Sequence, residues 1–279
     1  MVTSLSLPPY NFLLINFLTF SLFFLFLVKK SNNYKNNKIF FFYGWLFGFG
    51  YFGTNLYWIS ISLTFDQSFK FLIPFAMLLI PSFLALFYGS ISYLFIIFRS
   101  KKIVNSFLFF SVIFGLVEFV RSFILTGFPW NLIAYSFSNQ LELLSIIAII
   151  GTYGFNILCI SLFTIPSLFI LKESKKDLIV CIFFLLTFFF SYLYGSIKEN
   201  KFYKADKEIY DYKIRVIGSN INLNRFYKNI DPVSIIEEMI DISRPNINEK
   251  TIFVWPEGIL PGISPDQLNE YSWLFKENF

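Results

Sequence analysis

Few residues in this sequence have the chemistry to act on a substrate, and Glu257 stands first among them. It sits in the string VWPEG (254–258), just past a run of β-formers. A carboxylate at a strand end projects into a cleft while the sheet holds its backbone. Beside a thiol it would serve as general base. The structural alternative is a turn residue at a helix entry, favoured there by the helix dipole. The chain has no histidine, which removes Ser-His and Cys-His catalysis and argues against a zinc site. Cys159 and Cys181 both lie inside apolar runs and read as small buried hydrophobes, neither a disulfide framework nor nucleophiles. No metal site or cofactor is expected.

Glu118 and Arg121 are the other ionisable pair of interest. They flank the end of an apolar run and stand three apart, the spacing of a helical pair. Charges at a membrane face invite a functional reading, but a structural pair at the outer interface accounts for them. The segment after them, RSFILTGFPWNLIAYSFSNQLE (121–142), breaks at Gly127 and Pro129. Trp130 and Tyr135 suit the aromatic belt of a bilayer, so this loop is expected to rest on the outer leaflet. Trp130 is a candidate contact for a lipid substrate, with the interface anchor the favoured reading.

The elements that must position these residues are mostly membrane helices. Of 279 residues 56% are hydrophobic and 15% charged, with a mean hydropathy of +0.60. That is too few charges for a soluble domain, where about 25% is usual, so lipid must solvate much of the chain. The 41 phenylalanines read as compositional bias, and none is given functional weight singly. Uncharged runs predict about six spanning helices, at 10–28, 39–62, 71–98, 103–121, 143–171 and 178–197. Of the twelve basic residues before position 197, ten fall in the alternate loops 29–38, 99–102 and 172–177. The positive-inside rule puts those loops in the cytoplasm and everything after the sixth span outside it. The net charge of +5 therefore belongs to membrane loops and is not a nucleic-acid patch.

Beyond residue 197 the composition becomes that of a soluble protein. KIRVIG (213–218) and TIFVW (251–255) read as strands, and 232–243 as a helix capped by Asp231 and opened by Pro232. Strand, helix, strand predicts a parallel unit with Ile235, Ile236, Met239, Ile240 and Ile242 on the helix's apolar side. Glu257 then follows the strand's C-terminal end, where α/β folds place chemistry.

Several strings together resemble one family. VWPEGILPG (254–262) is similar to the glutamate motif of the carbon–nitrogen hydrolase, or nitrilase-like, superfamily. GWLFGFGYFGTNLYWISISL (44–63), EFVRSFILTGFPWNLIAYS (118–136) and RVIGSNINLNRFY (215–227) resemble, in order, stretches of the apolipoprotein N-acyltransferases. The chain departs from that pattern at Ile217 or Gly218, where the family has Gln, and at Phe226 or Tyr227, where it has Trp.

The resemblance implies a fold and a reaction. The fold is a multi-span α-helical membrane domain (1–197), followed by the start of an extracytoplasmic α/β domain of the nitrilase-like α-β-β-α sandwich type (212–279). The reaction moves an acyl chain from a membrane phospholipid to the amino group of the diacylglyceryl-cysteine that begins a bacterial lipoprotein, at the inner membrane. A Glu-Lys-Cys triad carries it: the glutamate is general base, the cysteine holds the acyl group as a thioester, and the lysine steadies the oxyanion. Glu257 matches the glutamate. Phe226 and Tyr227 become candidates to line the acyl pocket, or plain loop packing. The Lys and Cys lie further downstream in the family and have no counterpart in the 22 residues after Glu257. SLSLPPYN (4–11) resembles the end of the family's first span. The sequence is therefore expected to be a truncated form, inactive alone. Two rival readings share some features: another membrane-anchored carbon–nitrogen hydrolase such as an amidase, which would not need TGFPWN, and a non-catalytic multi-span protein.

Overall fold

The computed structural model describes residues 1–33, 36–125, 127–205, 210–218, 231–246, 248–260 and 263–278. The chain divides into two compact units, Met1–Ala205 and Asp206–Phe279.

The first unit is helical: α1 (Leu14–Ser31), α2 (Lys38–Asn55), α3 (Ile73–Phe98), α4 (Ile103–Arg121), the short α5 (Leu141–Leu144), α6 (Ile147–Leu171) and α7 (Lys175–Lys204). Five of these, all but α2 and α5, are long and apolar enough to cross a membrane. Leu14, Leu18, Leu22 and Phe26 on α1 repeat every fourth residue and stay exposed, a stripe suited to lipid. The opposite face packs: Phe17 meets Phe163 of α6 edge-on at 5.0 Å, and the Ser21 hydroxyl donates to the Phe163 carbonyl at 3.0 Å. The phenylalanines that carried no weight singly make the core together. Phe20, Phe24, Phe95, Phe107, Phe110 and Phe114 are all fully buried in one cluster.

Helices α2 and α3 approach most closely, and glycine is the reason. A side-chain carbon on Gly44 would lie 2.3 Å from the Tyr88 carbonyl oxygen, and one on Gly48 would lie 2.7 Å from Tyr88 Cβ. This is the small-residue packing that lets helices meet in lipid, where no hydrophobic drive pushes them together. The Trp45 indole donates to the Ser82 carbonyl at 3.0 Å along the same seam.

Several expected boundaries shift. The span expected at 39–62 stops at Asn55, and Tyr57–Thr64 winds on as a 3-10 turn. Glycines and the polar Thr54–Asn55 end dilute its apolar content, so α2 is not among the five. The first helix begins at Leu14 rather than 10, because Pro8, Pro9 and a left-handed Asn11 (φ 56°) hold the chain out of helix before it. The stretch 143–171 divides into α5 and α6, and Gly151 (φ 72°) kinks the latter. The last span extends to Lys204, its first turn closed by a capping box between Ser174 and Asp177.

The second unit contains β1 (Lys213–Val216), α8 (Pro232–Ser243), β2 (Thr251–Val254), α9 (Pro265–Leu268) and α10 (Ser272–Asn278). The strands pair in parallel, Lys213 opposite Thr251 and Val216 opposite Val254, as strand–helix–strand order predicts. The Asp231 carboxylate accepts from Val233 N–H at 3.1 Å and caps α8. Ile235, Ile236, Met239 and Ile240 are buried, whereas Ile242 lies off the apolar face and is exposed. Among the described residues only one face of the little sheet is covered. Ile214, Val216, Ile252 and Val254, alternating along the strands, leave the other face apolar and exposed.

Candidate functional site

Each unit holds one of the candidate features. In the second, Glu257 follows β2 by three residues and stands exposed in a turn that Gly258 completes at φ +66°. Only a glycine adopts that angle without strain. Trp255 fixes the chain just before the turn. Its indole donates to the Ser243 hydroxyl at 2.9 Å, and its ring packs on Phe275 at 5.7 Å. Glu257 makes no hydrogen bond or ion pair among the described residues, so its carboxylate is presented rather than spent. A cavity of 260 Å³ adjoins it, lined by Pro256, Gly258, Ile259, Leu260 and Leu268. Phe226 and Tyr227 lie outside the described residues.

In the first unit the Gly127–Asn131 loop is built around Arg121. The guanidinium Nε donates to Glu118 Oε2 at 3.0 Å, and Nη2 reaches the same oxygen. Nη1 then donates to the Phe128 carbonyl at 2.6 Å and Nη2 to the Trp130 carbonyl at 3.0 Å. Phe52 and Phe128 present their rings to the cation at 5.3 and 5.7 Å. Both charged side chains are 0% exposed. The pair expected at the end of the span forms, and both side chains are buried. An ion pair removed from water needs its remaining polar atoms paired; the Phe128 and Trp130 carbonyls take two of the guanidinium's donors, while Glu118 Oε1 has no hydrogen-bond partner among the described residues. Gly127 (φ 76°) and Asn131 (φ 59°) make the bends that turn those carbonyls inward.

Two residues that single-residue reasoning passed over complete this clamp. The Tyr51 hydroxyl donates to the Asn131 carbonyl at 2.7 Å, and Asn156 Oδ1 accepts from Ala134 N–H at 3.0 Å. Tyr51 was findable, because Gly44, Gly48 and Tyr51 follow the i, i+4, i+7 rule and so share one helix face. Asn156 offers no such signal. Trp130 itself is 52% exposed and stacks on Trp58 at 5.5 Å. Cys159 and Cys181 are free and buried in α6 and α7. No cluster of three or more potential metal ligands occurs among the described residues.

These features define a class first: a multi-pass helical membrane protein with a loop clamped on a buried ion pair and a second, α/β unit with an exposed carboxylate. The family follows from comparison. Residues 1–165 match the family model described as the apolipoprotein N-acyltransferase N-terminal domain. The chain is 29% identical to the apolipoprotein N-acyltransferase of Allorhizobium ampelinum over 99% of its own length and 54% of that protein's. It is 30% identical to the Brucella melitensis protein of the same name over 79% of this chain and 42% of that one, and 29% identical to the Rickettsia prowazekii protein over 87% and 47%. The chain belongs to the apolipoprotein N-acyltransferase family. It spans about half the length of the curated relatives it matches.

Proposed function

We propose that this chain supplies the membrane domain and the general base of an apolipoprotein N-acyltransferase. The reaction takes an acyl chain from a membrane phospholipid and places it on the α-amino group of a lipoprotein's N-terminal diacylglyceryl-cysteine. One observation carries the reading: Glu257 stands exposed and unpaired at the C-terminal end of a parallel strand, within the motif that resembles the family's glutamate. As base it would take the proton of a cysteine thiol; the thiolate would attack the acyl ester to form a thioester, the ester C–O bond would break, the lysophospholipid would leave as the alcohol with that proton, and the lipoprotein's amino group would then take the acyl chain and free the cysteine. Cys159 and Cys181 are buried in α6 and α7, so neither is assigned the attacking role.

The remaining assignments follow from the same reading. The bare apolar face formed by Ile214, Val216, Ile252 and Val254 suits a second sheet, as a nitrilase-like sandwich requires. The ten-to-two distribution of basic residues favours an inner-membrane orientation with the α/β unit in the periplasm. Trp130, exposed and stacked on Trp58, would meet the lipid substrate at the outer leaflet. Phe226 and Tyr227 would line the acyl pocket.

The test joins residues 1–279 to the remaining half of the Rickettsia prowazekii relative and expresses the product in cells depleted of their own acyltransferase. Triacylated lipoprotein, read by mass spectrometry, is the expected result. Diacylated lipoprotein alone, from a chain shown to be inserted and folded, would overturn the proposal.

A further inference from the structure

At the other end of α4 from Arg121 lies a second, unrelated cavity. Its volume is 170 Å³, and residues from all three lysine-rich connections line it. Lys29 and Asn32 come from the end of α1, Arg99 and Lys101 from the α3–α4 link, Ser106 from α4, and Glu173 from the link between α6 and α7. Loops separated by more than a hundred residues thus bring three cations and one carboxylate to a single hollow.

The cations are not held there by acidic partners. Neither Lys29 nor Lys101 forms a salt bridge among the described residues. Arg99 is half-buried and spends two of its five donors on neutral acceptors, the Val28 carbonyl at 3.0 Å and Asn32 Oδ1 at 2.7 Å. Partial burial pulls its pKa below the ordinary guanidinium value, the sign of a cation short of solvent and counter-charge. Helix α4 also begins at this cavity with no side-chain cap, so the free N–H groups of its first turn add positive potential. Beside the polar lining, Phe98, Phe169 and Ile170 are large, apolar and exposed; Phe98 and Ile170 are next to the lining residues Arg99 and Leu171, and Phe169 precedes Ile170.

We propose that this cavity binds the phosphodiester of an anionic phospholipid, whose acyl chains run down the exposed Phe98 and Phe169–Ile170 surfaces. Basic pockets between spanning helices recognise such headgroups, because the phosphate supplies the missing counter-charge and the tails remain in hydrocarbon. A free phosphate would satisfy the cations equally but would make no use of the adjoining apolar surface. The site lies at the membrane face that carries the lysine-rich loops, and its occupancy does not depend on the acyl-transfer reading.

Residues 1–279 in zwitterionic detergent, titrated with phosphatidylglycerol and followed by native mass spectrometry, provide the test. One lipid should be retained in preference to phosphatidylcholine. The K29Q/K101Q variant removes two exposed charges, leaves the Arg99 anchor intact and should weaken that binding about 30-fold, the effect of two lysines at an anionic surface. Glu173→Gln removes the carboxylate and should tighten binding several-fold. The K175Q/K176Q variant makes the same charge change on α7 outside the cavity and should leave binding within about twofold of wild type. Equal losses in both double variants would reduce the effect to general surface charge and overturn the site. So would unchanged binding in K29Q/K101Q, or weaker binding in Glu173→Gln. Displacement of the lipid by millimolar inorganic phosphate would overturn the lipid as occupant.

Discussion

The Tyr51 hydroxyl donates to the Asn131 carbonyl at 2.7 Å, which ties α2 to a loop 80 residues later. Tyr51 is fully buried, so nothing from solvent replaces that bond. It closes a chain of contacts that runs from the glycine seam of α2 and α3 to the exposed Trp58–Trp130 stack. The Gly127–Asn131 loop is thereby positioned from inside the helix bundle.

Tyr51→Phe tests this link with almost no change in volume. The Asn131 carbonyl would be left without its partner, at a cost of about 1–3 kcal/mol. Hydrogen exchange should accelerate in residues 127–135 and remain unchanged in α6. Uniform acceleration throughout the first unit would mean that the tyrosine supports the bundle rather than the loop.

Glu118 and Arg121 should be strongly coupled. Removing one partner strands a buried charge, which costs about 3–5 kcal/mol. Glu118→Gln and Arg121→Gln should each lower the unfolding midpoint in detergent sharply, and the double variant should lose much less than the sum of the two. Arg121→Gln should be the worse single change, because it also abandons the Phe128 and Trp130 carbonyls. Additive losses would show that the two side chains act separately.

The glycines of α2 allow a direct comparison. Gly44→Ala would drive a methyl to 2.3 Å from the Tyr88 carbonyl oxygen, whereas nothing lies within 4 Å of a side chain at Gly53. Overpacking costs about 1–3 kcal/mol, so Gly44→Ala should be destabilising and Gly53→Ala close to neutral. Denaturation titrated with SDS would distinguish them, and equal midpoints would remove the seam from the account.

Much of this arrangement is legible in the sequence because lipid simplifies the rules. A spanning segment must be apolar, long and helical, so uncharged runs locate five spans directly. Residues 39–62 are less apolar over α2, whose glycines also let it approach α3, and the helix itself stops at Asn55. Packing and hydropathy compete for the same positions, and packing wins there. In the second unit, Asp231, Pro232 and the β-branched runs fix α8 and both strands locally. The clamp is less legible. Glu118 and Arg121 reveal themselves by charge and spacing, but their burial depends on Tyr51, Phe52 and a loop whose carbonyls turn inward at Gly127 and Asn131. Those are contacts between segments far apart in the chain, and one sequence alone does not report them.

Orientation follows from charge rather than from packing. A reporter active only outside the cytoplasm, fused after Gly195, should be active, and the same reporter at Lys101 should be silent. The reverse pattern would place Glu257 in the cytoplasm, on the wrong side for lipoproteins delivered to the outer face of the membrane.

Glu257→Gln is the sharpest test of the chemistry. The substitution keeps the size and hydrogen-bonding shape of the side chain and removes its capacity to accept a proton. Because Glu257 is exposed and makes no bond among the described residues, the fold should not change, and the Trp255–Ser243 contact should hold the turn as before. Thioester formation on the partner cysteine, measured in the chimeric protein with a fluorescent phospholipid donor, should fall by about 10²–10⁴-fold, the usual contribution of a positioned base. The loss should appear in the rate of acylation and not in donor binding, since a base acts on the proton in flight and not on the resting lipid. Glu257→Asp would retract the carboxylate by one methylene and should recover part of the rate, which a purely structural turn residue would not do. Near-normal acylation in Glu257→Gln would return this glutamate to the role of a helix-entry residue and require another base.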